Sequence, residues 1–408
     1  MSILIQESTW LSATDAAKAL GINRATLYAY VSRGYIRSVA RPGMPRERRY
    51  SAEDVERLKR RNEERRDPEK VAVRALQWGM PILESSITLI AGGKLYYRGH
   101  DVVELARERS VEEVASLVWT GAFDADFSET PLHVVSGTRG DDGLSFIARA
   151  QSVLAIVAAR DALALDLRPR SVAMTGWRIL NLLTSVAAQT RELAPSIEET
   201  LVREWKAPAR AAELLRAALI LVADHELNVS SFTARCIASA GSHPYAVVIG
   251  GLAAIEGTKH GGASIRVESL LDALRRTRNL ESALAERLRR GESIEGFGHR
   301  LYRDGDPRAI ALMSMLAERY AKSAELAYAR EVASAAESIL NEKPTVDFAL
   351  AVLARVLKLP KGAPLTLFAL GRTIGWIGHA IEQYASDEII RPRARYVGPS
   401  VKAARDAD

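Results

Sequence analysis

From residue 75 onward apolar positions recur at helical spacing, in Ala/Leu/Arg/Glu-rich stretches over residues 111–119, 143–164, 171–188, 210–223 and 269–290. The pattern predicts an overwhelmingly helical chain. One stretch departs from it: over residues 86–97, Ile87 and Leu89 alternate with polar neighbours and Leu95-Tyr96-Tyr97 follow. Ala91-Gly92-Gly93-Lys94 lies between, which predicts a hairpin. Residues 1–66 form a separate helical pattern. Leu11-Ser12-Ala13-Thr14-Asp15 supplies cap residues for a helix over residues 15–20, and Gly21 ends it. Asn23 caps a second helix over residues 24–32, which stops at Gly34. Ser51 to Asp54 has the hydroxyl-to-acid spacing of a capping box and opens a third helix. Residues 59–70 are a mixed charge run that reads as an exposed helix end and linker.

Composition narrows the class. The chain has 408 residues, 48% of them hydrophobic, enough for a large core shared by two or three domains. No uninterrupted apolar run reaches membrane-spanning length, and Met-Ser-Ile-Leu-Ile-Gln-Glu lacks the basic flank and apolar length of a signal peptide, so a cytoplasmic location is expected. The one cysteine, Cys236, excludes an intramolecular disulfide and a multi-thiolate metal site. No metal ligand set is evident.

Charge is unevenly placed. Residues 1–66 hold fourteen Lys and Arg against eight Asp and Glu, which accounts for the whole net charge of +6. A basic partner surface is therefore expected at the N-terminus. Two short helices around Gly21-Ile22-Asn23 make a helix-turn-helix. Its second helix presents Arg24, Thr26, Tyr28 and Tyr30 outward or half-outward and keeps Leu27 and Val31 for the core, as a major-groove recognition helix does. Arg37, Arg41, Arg46, Arg48 and Arg49 follow in a basic turn suited to phosphates. The segments around residues 25–37 and 48–55 are similar to winged or MerR-like helix-turn-helix domains of bacterial regulators. Duplex DNA is the partner this implies, and a solvated helical cap packed on the rest of the chain is the alternative.

Candidate chemistry gathers in the second half. His225, His260, His299 and His379 lie in Gly-, Asn- or Arg-bearing segments, whereas His100, His133 and His243 read as ordinary core or surface residues. His260 and His299 stand beside glycines, where a backbone bends towards a ligand, and an imidazole there can donate to an oxygen that becomes negative. Asp347, between Val346 and Phe348, has a setting that raises a carboxyl pKa and makes a competent base; a helix N-cap is the other reading. Arg308, Arg372 and Arg391 suggest a multiply charged carboxylate ligand, against the alternative of unrelated surface arginines.

Three polar clusters belong together: Asp224-His225-Glu226-Leu227-Asn228-Val229-Ser230, Gly296-Phe297-Gly298-His299-Arg300 running into Asp306-Pro307-Arg308, and Thr345-Val346-Asp347-Phe348. With Lys259-His260-Gly261-Gly262-Ala263 between them, and Gly371-Arg372-Thr373-Ile374-Gly375-Trp376 and Arg391-Pro392-Arg393 after, the order and spacing over roughly residues 80–400 resemble the citrate synthase family. The resemblance implies an all-α fold: a large helical domain over 67–264 and 366–408, a small one over 265–365, and the helix-turn-helix over 1–66 in front. It implies Asp347 as the base that takes a proton from the methyl of acetyl-CoA, His260 as stabiliser of the enol and His299 as polariser of the oxaloacetate carbonyl. His225, Arg308, Arg372 and Arg391 would hold oxaloacetate and citrate carboxylates, Arg391 reaching across a homodimer. Ser230 would orient His260. Gly296, Phe297, Gly298, Arg300 and Arg303 would lie along the coenzyme A site. No permanently bound cofactor is implied, the coenzyme A thioester being a substrate.

Two departures stand out. Where the family usually has Pro-Leu before the loop histidine and Asn-Glu after the alanine, this chain has Thr258-Lys259 and Ser264-Ile265. Lys259 either depresses the pKa of His260 or points to solvent. Two functions follow: a citrate or 2-methylcitrate synthase carrying a DNA-binding module, or a transcriptional regulator whose synthase-like domain senses citrate, oxaloacetate or an acyl-CoA. Retention of Asp347, His260 and His299 favours the first, and the Lys259 and Ile265 changes lean towards the second.

Overall fold

The computed structural model describes residues 10–32, 35–41, 44–55, 58, 83–127, 143–302 and 304–399. The expected linker over 59–70 and most of the third N-terminal helix lie outside the described residues. The chain divides into two compact units, Met1–Glu84 and Ser85–Asp408.

In the first unit, β1 (Trp10–Leu11) leads into α1 (Ala13–Leu20) and α2 (Arg24–Ser32), followed by β2 (Ser38–Arg41) and β3 (Met44–Ser51). The Ser12 hydroxyl accepts from the Asp15 backbone at 3.1 Å, so α1 starts two residues earlier than its pattern predicts, and Gly21 closes it at φ 63°. Asn23 caps α2 by accepting from Thr26 N at 2.8 Å. Leu27 is fully buried among Ala16, Ala17, Leu20, Ile36, Tyr50 and Val55. The basic stretch after α2, read as a turn, is an antiparallel β-hairpin with Val39 opposite Arg49 and Ala40 opposite Arg48; β3 pairs on its other side with β1. The Ser51 hydroxyl accepts from Asp54 N at 3.3 Å, half of the expected capping box.

The second unit opens with a meander of β4 (Thr88–Ala91), β5 (Lys94–Tyr97) and β6 (His100–Asp101). Gly92 and Gly93, at φ 59° and 74°, form the two-residue turn between β4 and β5. Helices follow: α3 (Val102–Glu108), α4 (Val111–Thr120), α5 (Phe146–Ala158), α6 (Pro169–Ala188), α7 (Ile197–Glu204), α8 (Ala212–Leu221), α9 (Val229–Ser239) and α10 (Pro244–Glu256). Beyond them come α11 (Gly262–Leu274), α12 (Leu280–Arg289), α13 (Pro307–Tyr320), α14 (Ala324–Leu340), α15 (Val346–Leu357) and α16 (Ala363–Ser386).

Two predicted helices are interrupted. Residues 269–290 split because Asn279 caps a fresh helix, accepting from Ser282 N at 2.9 Å. Residues 143–164 split because Asp161 leaves the helical path for a buried ion pair with Arg178 at 2.9 Å and a 2.8 Å bond from the Tyr245 hydroxyl.

The architecture turns on α16, which is buried nearly all round, as its apolar sequence requires of a central helix. It packs against α4, α6, α8, α9 and α10. Close approach depends on its glycines: a Cβ at Gly371 would sit 2.4 Å from the Leu219 carbonyl, and one at Gly375 2.4 Å from the Asp224 carboxylate. Among the described residues, no helix is long and apolar enough to cross a membrane.

Candidate active site

Local chemistry sets the frame. Asp306 caps α13 by accepting from Arg308 N at 3.0 Å, and Pro307 fits the first helical position. The same carboxylate takes the Arg308 guanidinium in a two-pronged contact at 2.9 and 2.8 Å, both side chains being buried. It also accepts from Val346 N at 3.0 Å, the first residue of α15. Asp306 therefore ties Arg308 to the helix that carries Asp347. That helix starts after Thr345, whose side chain makes no cap bond, so the N-cap reading of Asp347 is wrong: the start of α15 is met by Asp306 instead.

Asp347 is the second residue of α15. Its Oδ1 is buried without a hydrogen-bond partner, and burial pushes its pKa up to about 6 against the opposing pull of Arg308. The loop before His299 is laced to the segment that leads into the same helix: Thr345 N donates to Gly296 O at 2.8 Å and Gly298 N to Lys343 O at 2.9 Å. Gly298, at φ 78°, admits no other residue easily, since a Cβ would stand 2.4 Å from the Glu342 carboxylate. Phe297 is buried and packs on Phe348 with ring centres 5.1 Å apart.

His299 Nδ1 accepts from Leu301 N at 3.2 Å, so the neutral ring carries its hydrogen on Nε2. Burial and the Arg308 charge hold its pKa down at about 4. The ring meets His225 edge-on at 5.2 Å. His225 follows the buried Asp224 in a turn where Glu226 takes φ 51°, and its Nε2 lies 2.9 Å from the Tyr302 hydroxyl. Burial, then Arg308 and Arg372, hold His225 neutral.

His260 sits in the turn that leads into α11. Its Nε2 is 2.8 Å from Ser230 Oγ, which is also 2.8 Å from Asn228 Oδ1. The single hydroxyl hydrogen serves one of the two; turned to His260, it leaves that ring's hydrogen on Nδ1. Burial and Arg372 lower the pKa of His260 to about 4. Lys259 is exposed, so of the two expectations for it solvent holds, and the depression has other causes.

Arg372 completes the group. Its Nε donates to Val222 O at 2.8 Å, its Nη2 is buried without a partner, and its guanidinium lies 4.7 Å from the Phe368 ring centre. Burial lowers its pKa to about 10. Arg308 and Arg372 both bear on Asp347 and His225, while one or the other bears on His299 and His260, so these six residues converge on one buried centre.

Other expected residues stand elsewhere. Arg391 is exposed in the extended segment after α16, and Arg300 is exposed beside His299. Arg303 lies outside the described residues. Sequence reasoning missed Asp224, whose buried carboxylate accepts from Thr88 Oγ1 at 2.6 Å and faces His379 Nε2 at 3.2 Å. It also missed Tyr97, whose hydroxyl lies 3.0 Å from the Asp224 amide. Their common signal, one lone polar group at the end of an apolar run, is too general to single out.

In the first unit, Arg24 is exposed and donates to Thr14 Oγ1 at 2.6 Å, Thr26 is bonded to Asn23 Oδ1 at 3.0 Å, and Tyr28 is 52% exposed. Arg48 is exposed and reaches Ser38 O at 3.4 Å; Arg49 is half-buried. The Arg46 side chain lies outside the described residues. Arg37, grouped with the phosphate-facing arginines, is instead paired with Asp54 at 2.8 Å and Glu53 at 2.9 Å.

Three histidines held neutral, a buried carboxyl with one oxygen unpartnered and an arginine with an unpartnered buried nitrogen are groups that can exchange protons and meet an anion. The chain belongs to the citrate synthase family, whose C-terminal domain it matches over residues 75–393, and a helix-turn-helix domain matches residues 10–63. It is 31% identical over 344 residues to a putative citrate synthase 2 of Mycobacterium tuberculosis, covering 78% of this chain and 90% of that protein. It is 28% identical to the 2-methylcitrate synthase of Shewanella oneidensis, covering 76% and 90%. The crystal structure of citrate synthase from Thermotoga maritima superposes with a TM-score of 0.66 at 30% identity, covering 80% and 96%.

Proposed function

We propose that residues 85–408 condense an acyl-CoA thioester with oxaloacetate, acetyl-CoA giving citrate. The observation that carries this reading is the buried Asp347 carboxyl, with no partner on Oδ1 and a pKa of about 6, set among neutral histidines and a partly unpaired arginine. At neutral pH it is a carboxylate able to take a proton from the carbon beside a thioester. The enol oxygen is met by His260, donating through Nδ1 when Ser230 donates to its Nε2. A neutral imidazole suits an oxygen that gains only partial charge. The enol carbon attacks the keto carbon of oxaloacetate, whose oxygen becomes an alkoxide that accepts a hydrogen bond from His299 Nε2 and whose charge is neutralised by the proton Asp347 removed, which restores the Asp347 carboxylate. Water then cleaves the thioester, releasing coenzyme A and the tricarboxylate. Arg372, Arg308 and His225 hold the dicarboxylate.

The remaining roles follow the family pattern. Arg391 serves the partner's site in a homodimer, which its position in an exposed tail suits. Gly296, Phe297, Gly298, Arg300 and Arg303 border the coenzyme A site, and segments 67–264 with 366–408 close on 265–365 to exclude water. Residues 1–66 bind duplex DNA through Arg24, Thr26 and Tyr28 on α2, with Arg46, Arg48 and Arg49 on the hairpin against phosphates. A two-fold protein suits paired half-sites.

A sensor without catalysis is the second reading, favoured by the helix-turn-helix domain, and propionyl-CoA is the alternative acyl donor. Thiol release from acetyl-CoA and propionyl-CoA with oxaloacetate, using full-length protein and its Asp347→Asn variant, decides among them. Turnover abolished by the substitution supports the enzyme and names the donor; no turnover with either thioester rejects catalysis in favour of the sensor.

A further inference from the structure

Tyr302 has no part in the chemistry assigned above, yet it touches His225 and His299 and faces Arg308. It lies three residues after His299, and its backbone N–H donates to His299 O at 3.1 Å. Its side chain is buried, at 3% exposure. The hydroxyl is 2.9 Å from His225 Nε2, and the ring lies against His299 with centres 4.9 Å apart and planes 33° from parallel. The Arg308 guanidinium carbon is 5.9 Å from the same ring centre. Burial keeps the phenol protonated.

We propose that Tyr302 is a positioning residue of this site, a single phenol that fixes the orientation of both His225 and His299. A buried imidazole can flip about its ring axis, which exchanges nitrogen for carbon at the position meant for a ligand. His225 is prevented from doing so because its Nε2 is held by the hydroxyl, which fixes where Nδ1 points. His299 is held at Nδ1 by the Leu301 amide and on its face by the Tyr302 ring, so the direction of Nε2–H is set from two sides. The hydroxyl and the ring thus have separable tasks: the first governs His225 and ligand binding, the second His299 and the chemical step.

The kinetic arm of the test rests on the proposed condensation; the spectroscopic arm does not. Tyr302→Phe keeps the ring and removes the hydroxyl. In full-length protein it should raise KM for oxaloacetate about tenfold, the scale of one lost hydrogen bond, with kcat and KM for the thioester little changed. Tyr302→Leu should add a fall in kcat on the order of tenfold or more. By nitrogen-15 NMR of histidine-labelled protein, the His225 Nε2 resonance, assigned by its loss in His225→Gln, should shift in Tyr302→Phe. An unchanged resonance together with an unchanged KM overturns the proposal, as does a lowered melting temperature with neither readout moved. If the wild type releases no thiol, the condensation reading fails while the resonance still decides the role of Tyr302. If Tyr302→Leu does not fold, the Phe variant decides alone.

Discussion

Asp347→Asn should abolish condensation and stabilise the protein, and both effects have one cause. The folded-state pKa of Asp347 is about 6 against an ordinary value of 3.8, the burial of the charged form outweighing the attraction of Arg308 and Arg372. Because the folded pKa is raised, the native chain binds this proton more tightly than the unfolded chain does. The group's contribution to stability is therefore full below about pH 3.8 and is lost as pH rises through 6. At neutral pH and above, keeping the carboxylate buried costs about 3 kcal/mol, from about two pKa units at roughly 1.4 kcal/mol each. Asparagine has nearly the same shape and no charge to bury. Urea unfolding followed by helical circular dichroism at pH 5, 6, 7 and 8 should show the variant more stable than wild type, by a margin that grows with pH and levels off above about 7. Condensation should fall on the order of 10³-fold or more, with oxaloacetate binding retained. A variant less stable than wild type at pH 8, or a margin that does not change with pH, would refute the account of Asp347 as a strained base; wild-type turnover would refute it as the base at all.

In wild type, kcat/KM for the thioester should fall with acid about an inflection near pH 6, as Asp347 takes up its proton; a profile flat down to pH 5 would contradict this. Arg372→Ala and Arg391→Ala should each weaken oxaloacetate binding by on the order of 2 kcal/mol or more, read by calorimetry, while thioester affinity holds. If Arg391 serves the partner, mixing Arg391→Ala with Asp347→Asn protein should restore one intact site per heterodimer, and no recovery after proven subunit exchange would assign Arg391 to its own subunit. Full-length protein should bind duplex DNA with an affinity that falls steeply with salt, and a chain starting at residue 75 should lose binding but keep any synthase activity. Neutralising Arg46, Arg48 and Arg49 should weaken all sequences alike, whereas changing Arg24 or Tyr28 should alter which sequence is preferred; a gel shift with no salt-sensitive binding at micromolar protein would set the DNA reading aside.

What was legible in the sequence was what is local. Ser12, Gly21 and Asn23 act on neighbours within a few residues, so the helix-turn-helix could be read from its caps, and Gly92-Gly93 announces its hairpin because the turn requires positive φ at both positions. The site was legible through its motifs, Ser230 at His260 included, because each motif is a short loop whose glycines and caps are themselves local devices. Long-range pairing was not legible. Thr88 and Asp224 are 136 positions apart, Asp224 and His379 155 apart, and nothing in either segment names the other. Arg37 looked like a phosphate ligand because its acidic partners arrive only when the helix that follows β3 brings Glu53 and Asp54 back to it. The split at Asn279 was hidden by helix-forming residues on both sides, a case where one cap outweighs the propensity around it.

The two buried arginines differ in what surrounds them, and the difference bears on how the proposed reaction is ordered. Arg308 is met by both oxygens of Asp306, so its charge is largely answered within the protein. Arg372 donates through Nε to a carbonyl oxygen, faces the Phe368 ring and is offset by Asp224 without a direct ion pair, and its Nη2 is left unpaired, so its charge is answered less completely. That charge lowers His225 and His260 further than burial alone does, and it partly opposes the rise at Asp347. A dicarboxylate seated against Arg372 reverses each of these influences. Its charge offsets the guanidinium and pushes the pKa of Asp347 up, which makes that carboxylate a stronger base when the electrophile is already in place. In the proposed reaction the proton would then be taken most readily from a thioester that has an oxaloacetate carbonyl waiting beside it, and an enol formed without a partner would be disfavoured by the same arginine proposed to bind that partner.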